Sequence, residues 1–122
     1  MQISEVAKEF GLTTDTLRYY EREGLIGPIS KGENGIRNYT EEDIKRIQFV
    51  KCMRAAGLEI NFLKRYIQLF EEGDKTVKER RKILVEQRKI LKEKLDAMQE
   101  AYNRLNYKID LYDKNILDKN LM

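Results

Sequence analysis

Apolar residues return at helical spacing through most of the chain, and the early runs each end at a glycine. Ile3, Val6, Ala7 and Phe10 lie three or four apart and predict a short helix over residues 3–10, with Ser4 as N-cap and Gly11 closing it. Leu12 follows, and Thr13 or Thr14 can cap a second helix that runs to about Glu23 and stops at Gly24. Leu17 and Tyr20 form the inward stripe of that helix, and Leu25 and Ile26 return to the core. Arg18, Tyr19 and Arg22 fall on its other faces, because successive residues step about 100° around the axis. A short helix, a glycine turn and a second helix make a helix-turn-helix pattern.

After Pro28 the period changes. The stretch PISKGENGIRNY holds an extended run, a turn rich in Gly and Asn, and a second extended run, which predicts a β-hairpin. An isolated hairpin is barely stable, so this one must lean on the helices as a wing. Thr40 then opens a third helix through a TEED capping box, and that helix carries Ile44, Ile47, Phe49, Val50, Met53 and Ala56 as far as Gly57. Residues 60–72 predict a fourth helix with Phe62, Leu63, Tyr66, Ile67 and Phe70 facing the core, ended by Gly73.

From a second capping box at Thr76–Glu79 onward there is no proline or glycine. Leu84, Leu91, Met98, Leu105 and Tyr112 recur every seven residues, and Arg88, Leu95, Tyr102, Ile109 and Ile116 do so with an offset of four. Nine of these ten positions are apolar, which is a coiled-coil seam. A single helix from Val77 to Ile116, roughly 60 Å long, would leave the seam in water, so a second copy of the chain is expected to cover it. The other possibility is a helix that folds back on its own head, which only its first two turns could do. The expected division is a winged helix-turn-helix head with two following helices over 1–73 and a coiled-coil dimerisation helix over 74–122.

Composition narrows the chemistry. The 122 residues are 37% charged and contain no histidine and one cysteine. His bases, Ser-His-Asp triads, His zinc sites and Cys-rich metal cages are therefore out of reach, and an enzyme would have to run on carboxylates, lysine or tyrosine. No enzyme activity, cofactor or metal is expected. GENG at 32–35 is a turn signal, not a phosphate loop. No run of about 18 apolar residues exists to span a membrane, and MQISEVAKEF lacks the basic and apolar parts of a signal peptide. A lone cysteine suits a reducing cytoplasm. The net charge is +3, and residues 1–58 balance nine cations against nine acids. Nucleic-acid binding would then rest on local placement of cations.

That placement centres on TTDTLRYYEREGLI at 13–26. One reading is a helix with a core tyrosine and a solvated salt-bridge face made by Glu21, Arg22 and Glu23. The other is a DNA-recognition helix. Thr14, Asp15 and Thr16 would meet base edges or phosphates, and Arg18 would form paired bonds to guanine or phosphate. Tyr19 would bond the backbone, Tyr20 and Arg22 complete the helix set, and Lys31, Arg37 and Tyr39 of the wing would hold flanking phosphates.

ISEVAKEFGLTTDTLRYYEREGLI followed by GIRNYTEEDIKRIQFVKCMRAAGLEI resembles the MerR family of transcription regulators over residues 2–70, and the long helix matches that family as architecture. The resemblance implies a mainly α protein: a winged helix-turn-helix head plus a long C-terminal dimerisation helix in an antiparallel coiled coil. It implies a homodimer on double-stranded promoter DNA with an over-long spacer, and central base pairs distorted to realign the spacer for RNA polymerase. The chain stops soon after the long helix, so no effector-binding domain is expected, and the cysteines of metal-sensing members are missing near the helix end. A non-DNA coiled-coil adaptor would explain the seam but leaves the wing without a purpose.

Cys52 in FVKCMRAAG has two readings. It can be a small buried hydrophobe beside Phe49, Met53 and Ala56, with the trigger another ligand or protein. Alternatively, Lys45, Arg46, Lys51 and Arg54, with no acid between residues 44 and 58, make a cationic neighbourhood of the kind that favours a reactive thiol. The resemblance extends to the small single-cysteine subgroup responsive to aldehydes and other thiol-reactive stress, which implies an electrophile sensor at Cys52.

Overall fold

The computed structural model of the chain describes residues 1–116. Five helices follow in order: α1 Ile3–Phe10, α2 Thr14–Arg22, α3 Glu41–Ala55, α4 Ile60–Glu71 and α5 Val77–Asp113, with a 3-10 turn Asp74–Thr76 before the last. The chain divides into two compact units, Met1–Leu84 and the remainder from Val85. The first turns of α5 therefore belong to the head unit.

Local chemistry explains the helix ends. The N-cap of α1 is Gln2, not Ser4. Gln2 forms a capping box with Glu5, whose Oε1 accepts from the Gln2 N–H at 3.3 Å, and Ser4 is drawn inside the first turn. Gly11 closes α1 in the left-handed conformation, φ 63°, and the Leu12 N–H donates to the Ala7 carbonyl at 2.9 Å. Thr13 caps α2 by accepting from the Thr16 N–H at 3.0 Å. Thr40 and Asp43 form the expected box on α3, at 3.2 and 2.9 Å. The box expected at Thr76–Glu79 does not form. The Thr76 hydroxyl is buried and turned back onto the Leu69 and Gly73 carbonyls, and Glu79 pairs with Arg65 instead.

The core of the first unit is built from residues of every helix except α5. Val6, Leu17, Leu25, Ile26, Ile47, Val50 and Leu63 are fully buried, and each side chain contributes about 1.5–3 kcal/mol by leaving water. Phe70 departs from expectation. It is 47% exposed on α4, held between the guanidiniums of Arg46 and Arg80 at 5.6 and 5.1 Å from its ring centre. Leu69, one position earlier, takes the buried place.

The wing is looser than a two-stranded hairpin. Among the described residues it holds one antiparallel bridge, Lys31 with Arg37. The Gly32 N–H donates to the Ile36 carbonyl and the Asn38 N–H to the Ser30 carbonyl, each at 2.8 Å. Arms this short, rich in Gly, Asn and Ser, cannot sustain a ladder.

Within the second unit, α5 leaves its seam in solvent. Leu95, Met98, Tyr102, Leu105, Ile109 and Tyr112 are all exposed, Met98 by 70%. Ile116, just beyond the helix, is exposed too, whereas Leu84 and Leu91 are half-buried. The outer faces carry ion pairs one turn apart: Lys92–Asp96, Arg104–Glu100 and Lys114–Asp110.

Candidate nucleic-acid interface

α2 stands on the core through Leu17 and Tyr20 and turns its remaining faces outward. The N-terminal cap fixes its first turn: Thr13 and Thr16 share a hydrogen bond between their hydroxyls at 2.8 Å. Thr14 and Thr16 are half-buried there, and Asp15 is fully open. Arg18, 48% exposed, donates to Asp15 at 3.2 Å. An exposed pair of this kind is worth under about 1 kcal/mol, so Arg18 is free to exchange it for another anion.

One turn on, the Arg22 guanidinium lies 5.6 Å over the half-buried Tyr19 ring. Beyond it, Glu23 pairs with Lys64 of α4, whose hydrogen bond and charge hold the Glu23 carboxyl below its usual range. The wing approaches this helix through Arg37, whose Nε donates to Glu21 at 2.8 Å; both side chains are only part-exposed. Arg18, Arg22 and Arg37 thereby line one groove of about 500 Å³, with Glu21 and Glu71 on its walls. Lys31 is exposed across the wing from Arg37. Three guanidiniums around a concave surface, each tied to a displaceable partner, can take a chain of phosphates.

Two of the expected DNA-facing residues lie elsewhere. Tyr20 is 6% exposed and Tyr39 3%, so both rings belong to the core. Burial pushes both hydroxyls above the ordinary tyrosine range. The Tyr39 hydroxyl is buried with no hydrogen-bond partner among the described residues. The sequence marks Tyr39 as the end of a polar wing, whereas the fold uses it to seal that wing onto the helices. Glu21 has no sequence signal as a partner of the wing, because its bond to Arg37 spans 16 residues and no local pattern announces it.

Cys52 is exposed on α3, so the reading as a buried hydrophobe does not hold for this fold. Its neighbours are engaged: Lys51 donates to the Phe10 carbonyl at the end of α1, and Arg54 to the Leu58 carbonyl at 3.0 Å. Among the described residues no group of His, Cys, Asp and Glu could hold a metal ion, and no helix is long and apolar enough to cross a membrane.

Comparison with known proteins agrees with this geometry. The profile described as "MerR HTH family regulatory protein" matches residues 1–73, and one described as "MerR, DNA binding" matches 44–107. The HTH-type transcriptional regulator AdhR of Bacillus subtilis is 61% identical over 84 residues, which are 69% of this chain and 60% of that protein. The match thus spans less than two thirds of that relative's length. A protein described as a MerR family transcriptional regulator, from Listeria monocytogenes, superimposes with a TM-score of 0.88 at 47% identity, over 93% of this chain and 86% of its own. HiNmlR, a MerR family regulator lacking the sensor domain and solved bound to promoter DNA, gives 0.82 at 27% identity, over 93% and 90%. These relatives are regulators of transcription, not enzymes. Profile, relatives and fold converge with the capped α2 and its flanking wing, and the chain belongs to the MerR family of helix-turn-helix regulators.

Proposed function

We propose that this chain regulates transcription as a homodimer that grips promoter DNA with two heads and distorts the spacer between the elements read by RNA polymerase. The observation that carries the reading is the groove where Arg18 and Arg22 of α2 and Arg37 of the wing converge. Thr14, Asp15 and Thr16 lie at the leading end of the same helix, Tyr19 farther along it, and Lys31 in the wing bridged to Arg37. HiNmlR, similar over nearly the whole chain, supports it by being bound to promoter DNA. A head with no excess of positive charge then relies on a few well-placed contacts, doubled by symmetry. The exposed seam of α5 supplies the symmetry, with Leu84, Leu91, Leu95, Met98, Tyr102, Leu105, Ile109, Tyr112 and Ile116 meeting their counterparts in an antiparallel pair. The head over 1–73 binds DNA and the remainder dimerises.

The trigger on this reading is an aldehyde that adds to Cys52. The sulfur bonds to the carbonyl carbon, the carbonyl oxygen takes up the proton released, and a hemithioacetal forms without any oxidant. Cys52 is open to such a reagent. Its neighbour Lys51 bonds the end of α1, so a bulky adduct sits one residue from a tie to the helix-turn-helix.

The test is a mobility shift with a duplex bearing an inverted repeat inside an over-long promoter spacer. Binding should weaken steeply as salt rises. Arg18→Ala should weaken it and flatten that slope by about 0.9 for each phosphate that the arginine neutralised. An adaptor that does not bind DNA gives no shift at any salt. In a transcription assay, formaldehyde or methylglyoxal should raise output from the wild type and leave Cys52→Ser unchanged. An equal response from Cys52→Ser would remove the aldehyde trigger and leave the DNA reading intact.

A further inference from the structure

Of the ten seam positions, nine on α5 and Ile116 just beyond it, Arg88 alone is charged. It is exposed. Among the described residues the ion pairs of α5 join Glu79 to Arg65, Lys92 to Asp96, Glu100 to Arg104 and Asp110 to Lys114, and none of them uses Arg88. A cation in an apolar seam costs dimer stability wherever it is not met, and it commonly selects among the pairings that the apolar residues allow.

A second copy packed on this face has few ways to meet it. In a parallel, in-register pair, Arg88 faces the partner's Arg88, two like charges in one layer. In an antiparallel pair, each position of one seven-residue series meets a position of the other series. One alignment pairs eight of the nine seam positions on α5, all but Leu84. It sets Leu91 against the partner's Ile109, Met98 against the partner's Tyr102, and Arg88 against the partner's Tyr112. Slipping by one heptad sets Arg88 against the partner's Leu105 and leaves Tyr112 unpaired one way, and leaves Leu84, Arg88 and Leu91 without a seam partner on α5 the other.

Building on the homodimer proposed above, we infer that Arg88 selects the orientation and register of the pair by laying its guanidinium on the ring of the partner's Tyr112. Tyr112 is exposed and a tyrosine face attracts a guanidinium. The partner's Asp113, next along, supplies a carboxylate for the guanidinium edge. The long arginine side chain keeps its stem in the seam while its charge stays at the rim.

The experiment uses the full chain carrying Cys52→Ser, with single cysteines placed at Leu91, Tyr102, Ile109 or Ile116, coexpressed in pairs and mildly oxidised. Leu91→Cys should couple to Ile109→Cys. It should couple at least about tenfold more slowly to Tyr102→Cys or Ile116→Cys, the partners in the two slipped registers, because disulfide closure tolerates only a few ångströms of misplacement. Leu91→Cys alone should not couple to itself. With Arg88→Leu added, coupling should spread to the slipped or self-paired products while the dimer persists. Self-coupling of Leu91→Cys with Arg88 intact, or an Arg88→Leu pattern identical to the parent, overturns the inference. Sedimentation separates the two possible failures: a dimer with the wrong cross-links ends the role of Arg88 alone, whereas a monomer at micromolar concentration ends the homodimer reading with it.

Discussion

Replacing Tyr39 by phenylalanine should make this protein more stable. The Tyr39 ring is 3% exposed, and its hydroxyl lies buried with no hydrogen-bond partner among the described residues. Leaving a buried hydroxyl unpaired costs about 1–3 kcal/mol relative to leaving it in water. Tyr39→Phe keeps the apolar ring where it packs and deletes the atom that carries the cost. Taking the low end, because the mutation also acts on the unfolded chain, the gain is about 1 kcal/mol. For a unit of the size of Met1–Leu84, that raises the melting temperature by about 4–8 °C. Thermal unfolding followed by circular dichroism at one fixed protein concentration reads the shift; the concentration must be held because association adds to apparent stability. Promoter affinity, measured by fluorescence anisotropy, should stay within about twofold, since a hydroxyl inside the head can give no phosphate bond. A melting temperature lowered by several degrees would mean that the hydroxyl is bonded within the fold. Binding weakened about tenfold would mean that it reaches DNA, returning Tyr39 to the residues that hold phosphate.

Other perturbations test separate links. Burial pushes the Tyr20 and Tyr39 hydroxyls above the ordinary tyrosine range, so the folded state holds their protons more tightly than the unfolded state. Their contribution is fully present below about pH 10, the ordinary tyrosine value, and is lost as pH rises further; urea midpoints should fall above that pH, and less steeply in Tyr39→Phe. Glu21→Gln releases Arg37 from its 2.8 Å bond and should tighten promoter binding by up to about fivefold, the worth of a part-exposed ion pair; weaker binding would show that Glu21 positions Arg37 rather than withholding it. Ile47→Ala empties a fully buried site on α3 and should cost about 2–5 kcal/mol in denaturant unfolding, while a change under about 0.5 kcal/mol would contradict the packing described.

What the residues make legible is what acts over a few positions. Thr13 and the Thr40–Asp43 pair cap α2 and α3 where the local pattern puts them, and Gly11 turns the chain because a left-handed residue is needed there. The helical periods of α1 to α5 are legible for the same reason. What stays hidden depends on neighbours distant in sequence. Tyr39 reads as an exposed wing residue until the helices close over it, and Phe70 reads as core until Arg46 and Arg80 flank it at the surface. Thr76 has every local mark of a cap, but the Leu69 carbonyl, seven residues back, claims its hydroxyl. At the candidate interface, Arg18, Arg22 and Lys31 stand on the outer faces that the helical and wing patterns give them. The groove that Arg18 and Arg22 share with Arg37 forms where the wing meets α2, a meeting marked by the Arg37–Glu21 bond across 16 residues.

Sedimentation velocity of the protein with its promoter duplex tests most directly that two copies joined through α5 place two heads on one DNA. The account predicts a complex whose mass corresponds to two chains of 14.5 kDa per duplex, reduced to weak single-chain binding when Leu105→Asp is placed in the seam. A tight, salt-sensitive complex holding one chain per duplex, unaffected by Leu105→Asp, would contradict it.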